Sequence, residues 1–141
     1  MNGSRGDVAV VLVDTSVWIE VFRKPAKFSL ESAVEFDEVV TCLPVLHEVL
    51  QGFHDERALA LARDAMLALP TVESPLRREV FLEATELYRR ARRIGRTVRS
   101  GVDCLIAACA IRNSLTVLHR DRDFTRLAEV SELEAHSIQL G

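Results

Sequence analysis

The chain has 141 residues, 48% of them hydrophobic, with a formal net charge of −3 at neutral pH. That apolar content suits one globular domain spanning 1–141 and is too little for two. The modest charge carries no global signal for a polyanionic partner, although its distribution is uneven.

The first predicted element is the run VAVVLV at 8–13. It is apolar without alternation, which suits a central strand covered on both faces. It is too short for a signal-peptide core or a membrane span, so a soluble cytoplasmic chain is expected. The segment TSVWIE then opens a helix, and 39–42 reads as a second strand. PVLHEVLQG is a short helix opened by Pro44 and closed by Gly52. Residues 55–67 carry Ala58, Leu59, Ala62, Ala65 and Met66 at helical spacing, and 76–94 carry Val80, Phe81, Ala84, Leu87, Tyr88 and Ala91. Gly95 is placed to stop the latter helix. From Val102 to Ile111 the chain is apolar on every side except at Asp103, as in a buried helix. Apolar runs at 116–118 and 137–140 complete the strand and helix alternation of an α/β fold with a parallel sheet.

Several carboxylates fall where such a sheet gathers functional groups, just beyond the carboxyl ends of its strands. Asp14 follows the first strand, where it is also a good N-cap for the next helix. After TVL come Asp121 and Asp123; Asp123 suits an N-cap for a helix starting at Phe124, which leaves Asp121 without a local task. Asp103 completes Ser100-x-x-Asp103, the spacing of a capping box, but Glu or Gln is usual at its position. Glu48 falls about 60° from Val45, at the edge of its helix's apolar face. Carboxylates from separate elements can share one crevice only if their repulsion is cancelled, and a hard divalent cation such as Mg²⁺ or Mn²⁺ does so.

VLVDTSVWIE, LHEVLQG, VDCLIAACA and HRDRDF, in that order over most of the chain, resemble the PIN-domain ribonucleases, and within them the VapC toxins of toxin–antitoxin pairs. The resemblance implies a three-layer α/β/α domain around a five-stranded parallel sheet. It implies that Asp14, Glu48, Asp103 and Asp121 line a Mg²⁺ or Mn²⁺ site that hydrolyses single-stranded or looped RNA, supported by Ser16 and Asp123. Asp14, Asp103 and Asp121 would then be ligands, and Glu48 would bind a second ion or orient the water. It further implies a cognate VapB-type antitoxin covering the crevice and a homodimer within a larger toxin–antitoxin complex. The long lead before Val10 is the least typical feature.

An RNA-facing surface should be basic, and YRRARRIGRTVRS supplies Arg89, Arg90, Arg92, Arg93, Arg96 and Arg99. Arg96 and Arg99 are the candidates for RNA contact; the others equally suit a solvated helix end favoured by the helix dipole. Cys42, Cys104 and Cys109 form no C-x-x-C pair and are expected as buried thiols. His47, His54, His119 and His136 lack ligand spacing and are read as structural. Two competing readings rank lower. One is a non-catalytic binding partner of the same fold. The other is phosphoryl transfer through an aspartyl phosphate, for which DTSVW lacks a second acid and Lys24 and Lys27 come too early.

Overall fold

Strand β1 (Val11–Val13) is buried at every position, as a central strand covered on both faces must be. It pairs in parallel with β2 (Val39–Cys42) and with β4 (Thr116–His119). A two-residue strand β3 (Thr71–Val72) extends the sheet beyond β2, and β5 (Glu134–Ser137) extends it beyond β4. The resulting order is β3-β2-β1-β4-β5, all parallel, in a computed structural model that describes residues 10–140. The predicted first strand began at 8; Val10 is exposed and outside the strand, and 8–9 lie outside the described residues.

Among the described residues six α-helices cover the sheet: α1 (Thr15–Phe22), α2 (Leu43–Gln51), α3 (Glu56–Leu67), α4 (Arg78–Arg93), α5 (Gly101–Arg112) and α6 (Arg122–Glu129). Crossovers between parallel strands are right-handed. The chain steps outward from β1 to β3 with α1, α2 and α3, then returns across the sheet to β4 and β5 with α4, α5 and α6. Reversing direction puts the second set of helices on the other face, giving the expected three layers. The packing agrees: α1 meets α2 and α2 meets α3, while α4, α5 and α6 pack on one another.

Local chemistry explains the helix limits. Asp55 accepts from Ala58 N at 2.9 Å and so caps α3. Pro44 lies in the first turn of α2, and Gly52 follows its end. On α4, Val80, Ala84, Leu87 and Ala91 form the buried stripe. The helix closes at Gly95, whose φ of 80° lets its N–H reach Arg92 O at 3.0 Å and lets Arg96 N reach Ala91 O at 2.9 Å. Phe81, predicted on the same stripe, is instead exposed.

Two strands differ from expectation. The last one lies at Glu134–Ser137 rather than 137–140, because it is a mostly exposed edge strand with no need of an apolar run. The apolar signal came from Ile138, buried just past its end. β3 is too short to leave a period in the sequence. Cys42, Cys104 and Cys109 are buried and free, as expected.

The connections reverse at β1: the chain leaves it toward β2 and comes back to its other side as β4. Such a switch point opens a crevice beyond the carboxyl ends of the two strands. Phe124, fully buried near the start of α6, holds that helix to this corner, with its ring 5.3 Å from that of His119. Phe124→Ala should therefore lower unfolding stability by about 3–5 kcal/mol in urea titration. A loss below about 1 kcal/mol would show that α6 is held by other contacts.

Candidate metal centre

The first acid of the crevice extends the sheet. Asp14 N donates to Leu118 O at 2.9 Å, so the β1–β4 ladder runs one residue past β1. The side chain, 2% exposed, caps α1: Oδ2 accepts from Ser16 N at 3.0 Å and from Ser16 Oγ at 2.6 Å. Oδ1 has no partner. Asp14 is thus a cap with one oxygen and has the other free of hydrogen bonds. Ser16 Oγ in turn accepts from Arg120 N at 2.9 Å, which ties α1 to the turn after β4.

At that turn the expected roles of two acids are exchanged. The helix begins at Arg122, not Phe124, and Asp121 is its N-cap, with Oδ1 accepting from Asp123 N at 2.9 Å. Asp121 N donates to Nδ1 of buried His119 at 3.1 Å. Burial lowers the pKa of this histidine, and the accepting Nδ1 assigns its proton to Nε2. Asp123 is 1% exposed and faces inward, where Oδ2 accepts from Arg99 N at 3.1 Å and Ser100 N at 3.3 Å.

Those two bonds decide what Asp103 does. Ser100 Oγ accepts from Asp103 N at 3.4 Å, which is half of the predicted capping box. The return bond to Ser100 N is made by Asp123, so the Asp103 carboxylate, 4% exposed on α5, has no capping duty. Its Oδ2 has no hydrogen-bond partner.

Asp103, Asp121 and Asp123 each offer an oxygen within 4.8 Å of the others, a grouping that could hold a metal ion. The compact trio thus includes Asp123, which the sequence reading had only in support, whereas Asp14 stands beside it. Burial, then the charges of Asp14 and Asp121, push the Asp103 carboxyl up to about 9. Burial also raises Asp14 to about 6, against the hydrogen bonds from Ser16, with the charge of Glu48 adding to the rise. Half-buried Glu48 accepts from Thr15 Oγ1 at 2.9 Å. Among the described residues, four buried side-chain polar atoms lack a hydrogen-bond partner, and three are carboxylate oxygens of Asp14, Asp103 and Asp123. Desolvated, mutually repelling carboxylate oxygens of this kind suit a hard divalent cation.

Arginines border this acidic centre. Arg99 lies 3.9 Å from both Asp121 and Asp123 with its side chain 73% exposed, whereas Arg96 pairs with Glu129 at 3.3 Å. Arg90 and Arg93 both pair with Glu86. Sequence reasoning missed Thr15 and a buried Glu20 bound to Arg23 and Arg120. Glu20 lies four residues after Ser16, on the same helix face, which was the one available signal.

The sequence matches the PIN domain family over residues 11–130. The chain belongs to that family. It is 35% identical over 135 residues to ribonuclease VapC11 of Mycobacterium tuberculosis and to VapC ribonuclease Mb1587 of Mycobacterium bovis, covering 92% of this chain and 100% of each relative. Its fold is similar, with a TM-score of 0.68, to VapBC-5 of Mycobacterium tuberculosis, a member of the VapBC family of toxin–antitoxin systems. That structure is 25% identical and is matched over 92% of this chain and 99% of its own.

The raised acids carry a pH signature. Asp14 and Asp103 hold protons in the folded chain that the unfolded chain releases near the ordinary 3.8. Folded stability therefore falls as pH rises from there, through about 6 for Asp14 and about 9 for Asp103. In chelator near pH ~8, Asp103→Asn should melt several degrees above wild type, and its melting temperature should drop less on going from pH ~5 to ~8. Calorimetry giving equal or lower melting for the variant would mean that Asp103 is not strained by its neighbours.

Proposed function

We propose that this chain, acting as one catalytic domain over 1–141, is a metal-dependent endoribonuclease. It would serve in the cytoplasm as the toxin of a toxin–antitoxin pair, restrained by a VapB-type antitoxin. The VapC relatives support the ribonuclease and the antitoxin, and the same kinship is the ground for a homodimer within the toxin–antitoxin complex. The observation that carries the metal is the set of buried carboxylate oxygens on Asp14, Asp103 and Asp123 that accept no hydrogen bond, next to the ligand-distance trio.

Asp103, Asp121 and Asp123 would hold a Mg²⁺ or Mn²⁺ ion, with the free oxygen of Asp14 beside them. Such an ion neutralises charge on the phosphate and lowers the pKa of water. Glu48, steadied by Thr15, would orient the attacking water or bind a second ion. Ser16 occupies Oδ2 of Asp14, so Oδ1 would be the oxygen left to hold the ion. Hydrolysis adds the water oxygen to phosphorus and breaks one P–O bond of the RNA backbone. Arg99, exposed at the rim and only loosely held by the acids, would bind a substrate phosphate. Arg96 is a weaker candidate, because RNA would have to compete with Glu129 for it.

Purified protein should cut RNA only with Mg²⁺ or Mn²⁺ present, and Asp103→Asn should reduce turnover by at least ~100-fold while remaining folded. Undiminished cleavage in excess chelator would refute the metal mechanism. Arg99→Ala should weaken RNA affinity more than Arg96→Ala, by about tenfold, in a filter-binding titration at low salt. The reverse order would assign the phosphate contact to Arg96.

A further inference from the structure

Glu20 projects from α1 with its side chain only 5% exposed. A carboxylate that deep needs compensation, and it has more than one counter-charge. Arg23 Nε and Nη2 donate to Oε1 at 3.1 Å and to Oε2 at 3.4 Å, and Arg120 Nη1 donates to the same Oε2 at 2.9 Å. One buried negative charge thus holds two positive ones, side by side, with a net positive charge left over. Both arginines remain about half exposed, at 49% and 48%. Each guanidinium has five donors, of which Glu20 takes a minority.

Their position gives this arrangement a use. Arg120 lies between His119 and Asp121, and its backbone N–H binds the Ser16 hydroxyl that binds Asp14. Arg23 lines a cavity of about 350 Å³ together with Phe22, Glu48 and Phe53. The pair therefore connects the turn carrying Asp121 to the cavity that contains Glu48. Arg99 approaches Asp121 and Asp123 from the loop before α5. RNA approaching this acidic centre is repelled unless cations flank it, and a rigid guanidinium pair matches phosphate oxygens with little further loss of side-chain freedom.

We propose that Arg23 and Arg120, held side by side by Glu20, are a clamp for an RNA phosphate neighbouring the one that is cut. This assignment rests on the ribonuclease reading above. Glu20 is then a positioning residue, acting on substrate through the two arginines.

The test uses the full chain in chelator with a fluorescein-labelled single-stranded RNA 12-mer of mixed sequence, followed by anisotropy over a range of KCl concentrations. Arg23→Ala/Arg120→Ala should bind about tenfold more weakly or worse, and the slope of log affinity on log salt should flatten by about 0.7, the value for one single-strand phosphate contact. Glu20→Gln separates a clamp from mere charge: it makes the protein more positive, yet should bind RNA more weakly because the guanidiniums lose their common anchor. Arg23→Lys/Arg120→Lys keeps the charge and supplies a variant if Glu20→Gln does not fold; it should also bind more weakly, since lysine lacks the fork. Unchanged affinity and slope in the alanine variant, or tighter RNA binding by folded Glu20→Gln, overturns the clamp. An equal loss of affinity for a fluorescein-labelled oligoglutamate makes the pair a general anion or acidic-peptide surface and also overturns it. Cleavage of the same RNA by wild type with Mn²⁺ is read separately. Wild type that neither binds nor cuts RNA defeats the ribonuclease reading, whereas wild type that does both beside unaffected variants defeats the clamp alone.

Discussion

Asp123 accepts the backbone N–H groups of Arg99 and Ser100, and the geometry of the acidic centre depends on that pair of bonds. They join the start of α6 to the start of α5 across more than twenty residues of sequence. They also satisfy the donor that Asp103 would otherwise have to cap. Arg126 reinforces the joint, lying 3.6 Å from Asp123 and donating to Thr97 O at 2.8 Å. With the loop so fixed, Asp103 is held against Asp121 and Asp123 and pays for it in desolvation. Strain of this sort is tolerable only where the surrounding fold is firm, and here the support is the fully buried β1 and the apolar body of α5.

Around that strained core the polar groups fall into chains that each end on an acid. Arg120 N–H, Ser16 Oγ and Asp14 form one. Thr15 and Glu48 form another, linking α1 to α2. His119 holds the backbone of Asp121. Asp14, Asp121, Asp123 and Glu48 are each oriented by a hydrogen bond, whereas Asp103 Oδ2 accepts none. Contacts of this type would set the geometry of the acids before an ion bound.

How much of this was legible in the sequence depends on the range of the interaction. Asp14 could be read because an unbroken apolar strand ends on it, and Asp103 because it is the one charge between Val102 and Ile111. The helices from 55 and 76 announced themselves by period. The exchange of Asp121 and Asp123 was hidden, since both residues are good N-caps two positions apart, and only the bond from Asp123 N to Asp121 decides between them. Glu20 with Arg120 is a contact between residues 100 apart in the chain and leaves no local trace. β5 was misplaced because burial of Ile138 resembles strand character without being part of the ladder.

The two outermost strands have a consequence for how this protein can meet others. β3 offers only two residues of free backbone, and β5 presents the exposed side chains of Glu134, His136 and Ser137. Short or charged margins resist the addition of a foreign strand, and with it the edge-to-edge growth that leads to aggregates. Recognition by backbone pairing, the commonest way for an extended peptide to join a sheet, therefore has little purchase here. Capture of this chain would then run through side chains on its helices and loops rather than through an open sheet edge. That favours faithful pairing with a dedicated partner over exchange among relatives that share the same sheet.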